Sequence, residues 1–307
     1  MPACLSIPAH PARRTPLCAP VSAQDSVAGH NVPSGLLQVR TWGTRGSLPV
    51  SGPEFVEFGG STTCIEVRCG DEVLLFDAGS GMLPAGRALK ARGVKKTHLL
   101  FTHCHYDHII GFPYFGGLFD ATATVHIWSG HMSPMTTTAE MIHAFMHPPF
   151  FPIDPGLCPA HIQCHDFTPG DILKPEPEIT LHTGRLVHPG GAVGYRIDWN
   201  GRSVAIITDT EHQAPDLDPV VLDLIRDVDL FVYDACYTEP EMALFRGFGH
   251  STWQQALLLA QAAGVGRVAL SHHAPWRSDS DLKAMQAEAQ ATLPGAFFAR
   301  DGQTTVI

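Results

Sequence analysis

The sequence predicts an α/β (α+β) fold in which sheets pack between helices. Three observations lead there. Apolar strand-like runs alternate with helical stretches, hairpin signals join some of the runs, and no short repeat recurs. A simple doubly wound parallel sheet would not carry such hairpins.

The composition fits a folded chain. It has 307 residues, 44% of them apolar and 16% charged, which is globular usage and excludes wholesale disorder. No apolar stretch approaches the roughly 20 residues of a membrane helix. Residues 1–34 are rich in Pro, Ala and Ser without apolar periodicity and read as a disordered tail. They lack the apolar stretch of a secretory signal, so a cytoplasmic protein with mostly reduced cysteines is expected. Residues 35–307 read as a single domain.

Within that domain, Leu36–Trp42 reads as a strand, followed by the glycine-rich turn Gly43–Ser47. Thr62–Arg68 alternates and Val73–Asp77 is a short apolar run; the turn at Cys69–Asp71 makes them a hairpin. A helix is expected over 82–92 and a buried strand over His98–Thr102. The segment 129–176 stands apart. It holds a helical stretch from Met135 to His147, then His147–Pro152 with two adjacent prolines, and reads as a structured insertion or lid. Strands resume at Glu178–Val187, Ala192–Trp199 and Ser203–Thr208. Asn200-Gly201 between the last two is a strong hairpin signal. Asp229–Tyr233 and Arg267–Ser271 read as strands, 250–264 and 278–291 as helices.

Histidine is the odd entry in the composition: 18 residues, almost as many as the 20 Lys and Arg. One segment, Phe101-Thr102-His103-Cys104-His105-Tyr106-Asp107-His108, concentrates them at the end of an apolar run. His103 and His105 are two apart and share one face of an extended chain. Asp107 and His108 follow at a helix start and can serve a second point, so the cluster suits two adjacent metals. Imidazole with carboxylate and no obligatory thiolate fits zinc, manganese or iron. Cys104, on the opposite face, reads as core packing.

This H-x-H-x-D-H segment resembles the metallo-β-lactamase-fold hydrolases. The resemblance implies a four-layer αββα sandwich, with two mixed, largely antiparallel sheets between helices. It also implies two divalent metal ions, zinc first, with manganese or iron as alternatives. The further ligands it calls for stand at strand ends: His188, Asp209 and His272. His103, His105 and His188 would then hold one metal; Asp107, His108 and His272 the other; Asp209 would bridge them along with a water or hydroxide. His273 competes with His272, and register favours His272. Asp77, before a glycine-rich turn, matches the acid that supports a ligand from behind.

Two more stretches resemble the ribonuclease Z and phosphodiesterase branch: Trp42-Gly43-Thr44-Arg45-Gly46-Ser47-Leu48-Pro49, and Gly249-His250-Ser251-Thr252. By resemblance His250 contacts the scissile phosphate and protonates the leaving oxygen. Its acidic partner would be Asp234, in Tyr233-Asp234-Ala235-Cys236, where the branch has His-Glu-Ala-Thr. The expected function is a metal-dependent phosphodiesterase acting on a small anionic substrate such as a cyclic nucleotide. Ester, thioester or lactone hydrolysis, transfer-RNA 3′ processing and non-catalytic metal sensing are the alternatives. Net charge of −10 and scattered basic residues argue against extended nucleic acid as partner. Relatives are often dimers, so a homodimer is a further expectation.

Overall fold

The computed structural model describes residues 35–307. The tail reading at 1–34 lies outside the described residues. Fourteen strands form two seven-stranded sheets. The first contains β1 (Leu37–Gly43), β2 (Cys64–Cys69), β3 (Glu72–Phe76), β4 (Lys96–Leu100), β5 (Thr124–Ser129), β6 (His161–Asp166) and β14 (Gln303–Val306), in the order β14-β1-β2-β3-β4-β5-β6. The second runs β13-β12-β11-β10-β9-β8-β7. Its strands are β7 (Ile172–Glu176), β8 (Ile179–Leu186), β9 (Ala192–Trp199), β10 (Arg202–Ile207), β11 (Leu230–Asp234), β12 (Val268–Ser271) and β13 (Ala296–Phe298).

Each sheet combines three antiparallel with three parallel pairings, more parallel pairing than the hairpins alone suggest. The hairpins fall where their turns predict: β2–β3 across Gly70, β9–β10 across Asn200 and Gly201, both of which take positive φ. The parallel strands are linked through helices, as parallel connections require. α1 (Met82–Ala91) links β3 to β4, α4 (Pro219–Ile225) links β10 to β11, and α7 (Asp279–Thr292) links β12 to β13. α5 (Glu239–Phe245) and α6 (Trp253–Ala262) lie between β11 and β12.

Three apolar cores make the layering. Val39, Ile65, Leu74, Phe76, Tyr195 and Ile206 pack between the sheets. Leu75, Leu99 and Ile127 meet α1 and α3 (Thr138–Phe145) on the outer face of the first sheet. Phe231, Leu270, Ala256 and Leu282 join the second sheet to α4, α6 and α7. Strands such as Leu230–Asp234 are buried along their whole length because both faces are covered.

The 129–176 segment is only partly an excursion. Its later part supplies β6 and β7, the edge strands of the two sheets, and the helix-bearing stretch between β5 and β6 is what projects. The expected helix is shorter than its pattern, Thr138–Phe145, capped by the Thr137–Glu140 capping box. β4 also ends early, at Leu100. The Asp77 carboxylate accepts the Thr102 N–H at 2.7 Å, where a ladder bond would otherwise form.

Candidate metal centre

The two sheets bring one set of strand ends together. Asp77 follows β3; His103 and His105 follow β4; Asp107 and His108 lie in the short helix α2 (Tyr106–Ile109). His188 follows β8, Asp209 follows β10, Asp234 ends β11 and His272 follows β12. Asp77, Asp209 and His272 all take positive φ, at 62°, 51° and 60°. Non-glycine residues rarely adopt this region, and such strain gathers at functional sites. Here it turns each chain end sharply and aims the side chain across the edge of the sandwich.

The side chains converge in two groups. His103, His105 and His188 present ligand atoms within 4.8 Å of one another, and so do Asp107, His108, Asp209 and His272. Asp209 lies between the groups. Its Oδ1 is 3.2 Å from His108 Nε2, and its Oδ2 is 3.2 Å from His272 Nε2, 3.7 Å from His103 Nε2 and 3.9 Å from His188 Nε2. Asp107 Oδ2 is 3.2 Å from His272 Nε2 and 3.3 Å from His108 Nε2.

The far side of three of the rings is tied back. His108 Nδ1 donates to Asp77 Oδ2 at 2.8 Å, and His188 Nδ1 donates to the Gly249 carbonyl at 2.7 Å. The Thr102 hydroxyl donates to Asp77 Oδ2 at 2.7 Å and is itself 3.0 Å from His103 Nδ1. These bonds direct the Nε2 atoms of three imidazoles toward the carboxylates. His103 Nε2, His108 Nε2 and Asp209 Oδ1 are buried without a hydrogen-bond partner. Orphaned polar atoms of this kind are costly, and a divalent cation satisfies imidazole lone pairs and carboxylate oxygens together. The residues therefore fit metal ions.

The local field agrees. Burial alone would raise the Asp209 carboxyl, but His108, His272 and His103 hold it well below the carboxylate range. Burial alone would lower His108, yet Asp209, Asp107 and Asp77 lift it well above an ordinary imidazole. His103, His105 and His188 are pushed down, burial being the main cause. Asp77 is raised by burial, with His108 and Thr102 pulling it back.

His250 adjoins this cluster. Its Nδ1 is 2.9 Å from Asp234 Oδ2 and 3.8 Å from Asp209 Oδ2. Burial would lower its pKa, but Asp234 outweighs that and pushes it up to about 9. Asp234 is itself fixed by the Thr210 N–H at 3.2 Å and the Cys236 N–H at 3.1 Å. A cavity of about 630 Å³ opens over the centre, with His105, Asp107, Asp209 and His250 in its lining.

His273 points elsewhere. Its Nε2 donates to the Ala299 carbonyl at 2.8 Å, and burial pushes its pKa down to about 3. Cys104 packs, half-buried, against the outer core of the first sheet, as expected, and also lines the cavity. All six cysteines among the described residues are free thiols. No helix among the described residues is long and apolar enough to cross a membrane.

Several contributors escape sequence reasoning. Thr102 couples Asp77 to His103. The glycine-rich opening acts on two ligands from different elements: Ser47 N–H donates to Asp107 Oδ2 at 2.7 Å, and a Cβ on Gly46 would collide with the His272 ring. Arg45, fully buried, donates to the carbonyls of Gly59 and Arg277, both at 2.7 Å. His212 Nδ1 and the Tyr233 hydroxyl meet the Ser251 hydroxyl at 2.7 and 3.0 Å, bracing the turn that carries His250. Only tertiary pairing brings these groups to the site, and the one local hint was the Gly-Thr-Arg-Gly-Ser run.

Two sheets between helices, with a buried His/Asp cluster at their common edge, define a hydrolase of the metallo-β-lactamase fold. The chain belongs to the β-lactamase superfamily domain family, whose model matches residues 73–273. Among its relatives is ribonuclease BN of Cronobacter sakazakii, 24% identical over 288 residues, covering 76% of this chain and 89% of that one. Zn²⁺-bound PqqB from Methylobacterium extorquens superposes with a TM-score of 0.67 at 15% identity, covering 87% of this chain and 99% of that one. A diphosphatase from the PhnP family superposes at 0.63 and 17% identity, covering 89% and 97%.

Proposed function

We propose that the chain is a dinuclear metal-dependent phosphodiesterase acting on a small phosphodiester. His103, His105 and His188 would hold one ion, Asp107, His108 and His272 the other, with Asp209 shared. Zinc suits this donor set best, with manganese or iron as alternatives. The ions, when bound, supply positive charge for the phosphoryl oxygens and lower the pKa of water.

The observation that carries the reading is the His250–Asp234 pair at 2.9 Å beside Asp209, on the cavity wall. Asp234 orients the ring through Nδ1, which leaves Nε2 to give a proton to the departing oxygen. A phosphodiester leaving group needs such an acid; hydrolysis of an activated ester does not depend on it to the same degree. Asp77 and Thr102 hold His108 and His103 in their tautomers.

The ribonuclease relative supports a second reading, transfer-RNA 3′ processing. The net charge of −10 and a cavity lining without Lys or Arg weigh against it. The test is a screen of the metal-loaded chain on cyclic nucleotides, bis(p-nitrophenyl) phosphate, precursor transfer RNA and p-nitrophenyl esters, with His250→Ala alongside. Small diesters should be turned over, and His250→Ala should lose the cyclic nucleotides, whose alkoxide leaving group needs the proton, far more than bis(p-nitrophenyl) phosphate, while keeping metal. Precursor transfer RNA as the preferred substrate, or undiminished cyclic-nucleotide turnover by His250→Ala, contradicts the reading.

A further inference from the structure

We infer that the phosphodiester this site takes carries an extended apolar substituent, bound along a track between α2 and α3. The inference rests on the phosphodiesterase reading above and names its substrate class. Beyond His105, Asp107, Asp209 and His250, the cavity over the metal centre is lined by Cys104, Ile109, Met132, Met141, Ala144 and Phe145, with the hydroxyls of Ser47, Tyr106 and Thr136 as its other polar groups. A nucleobase needs amide-like donors and acceptors, and no Asn, Gln, Lys or Arg side chain lines the cavity.

The cavity does not end at α3. A second hollow of about 370 Å³ shares Tyr106, Ile109, Ala144 and Phe145 with it and continues along Tyr114 and Phe151. The two hollows lie side by side, with Ala144 and Phe145 on the wall they share, and their apolar linings together reach from the cavity that holds Asp209 and His250 to the exposed rings beyond. The exposed rings of Tyr106, Tyr114 and Phe150 stand at the outer end, where an apolar chain would cover them. Such a lining gains affinity from chain length, roughly fourfold for each methylene it takes out of water.

The test is a series of p-nitrophenyl alkyl phosphates, methyl to octyl, below their micelle concentrations, with thymidine 5′-(p-nitrophenyl phosphate) as the polar competitor. All share one leaving group, so the substituent alone varies. kcat/KM should climb roughly fourfold per methylene to at least butyl, and the butyl diester should outrun the thymidine ester. Ala144→Asp, at an exposed helix position, and Phe145→Ser should flatten that slope. Calorimetric binding of octylphosphonate and methylphosphonate to the metal-loaded chain gives a readout that needs no turnover; octyl should bind over tenfold tighter, and Ala144→Asp should remove the difference.

A flat chain-length series with brisk methyl diester turnover overturns the track and leaves the phosphodiesterase reading standing. No turnover of any diester, with octylphosphonate still preferred and the preference lost in Ala144→Asp, overturns the reaction and supports the track. An undiminished slope in both variants overturns the assignment of these walls.

Discussion

Two histidine-rich regions of the first sheet make an informative pair. At the C-terminal end of β4, His103, His105 and His108 meet His188 and His272 around Asp107 and Asp209, and buried ligand atoms are left without partners. Further back on the same strand, His98 stacks on His126 at 4.6 Å, His126 on His165 at 5.3 Å, and His165 on Trp128 at 3.9 Å. Glu72, His98 and Glu176 also converge there closely enough to hold an ion. But Lys96 already fills that role: its Nζ is 2.9 Å from Glu72 and 2.6 Å from Glu176.

The residue types are alike and the bookkeeping of charge differs. In the stack, the cation is covalently supplied by Lys96, and His98 Nε2 completes the set at 2.9 Å from Glu176. At the strand ends no Lys or Arg enters either ligand group, and the side chains that meet the two carboxylates are imidazoles. A count of histidines cannot separate the two cases. The groups behind the rings do: Asp77, Thr102 and the Gly249 carbonyl fix ring orientation at one site, while ring stacking does so at the other.

The largest effect should come from the shared carboxylate. Asp209→Asn should lower phosphodiester kcat/KM by about a thousandfold or more, since several kcal/mol of charge stabilisation depend on it, and should reduce bound metal in elemental analysis. His250→Ala should cost about 10²- to 10⁴-fold in turnover with metal content unchanged, separating the proton donor from the ligands. Asp77→Asn should weaken metal affinity by about 10- to 100-fold, read by competition with a chelating dye, because His108 loses its anchoring acceptor.

The smallest effect belongs to the stack. His126 is pushed down to about 4, mainly by burial and then by His98 and His165. Its ordinary value is 6.5, so the unfolded chain takes up this proton first as pH falls. Its contribution is complete above about pH 6.5 and is lost progressively between there and about 4. His131, also pushed down to about 4 by burial, adds to the same window. Urea unfolding at pH 7 and pH 5 should show lower stability at pH 5, with part of the difference gone in His126→Phe.

The comparison also explains what was legible in the sequence. The ligand-bearing strand ends announce themselves because an apolar run stops at a polar, ionisable residue: Val204–Ile207 before Asp209, Val268–Leu270 before His272. The hairpins were readable from Gly70 and Asn200-Gly201. The edge strands were not. β6, His161–Asp166, has no buried residue, and β7 includes Pro175, so neither shows the alternation of a half-buried strand. α4 and α5 are one to two turns long, too short to display a helical period. The roles of Thr102, Ser47 and Gly46 were hidden for another reason: each acts on a residue that the fold, not the chain, makes its neighbour.

The most direct test of the account is metal stoichiometry in paired variants. The purified, zinc-loaded chain should hold two divalent ions, Glu176→Gln should still hold two, and Asp209→Asn should hold fewer. Loss of an ion in Glu176→Gln with full retention in Asp209→Asn would mean that the metal sits in the Lys96 cluster, and would contradict the assignment.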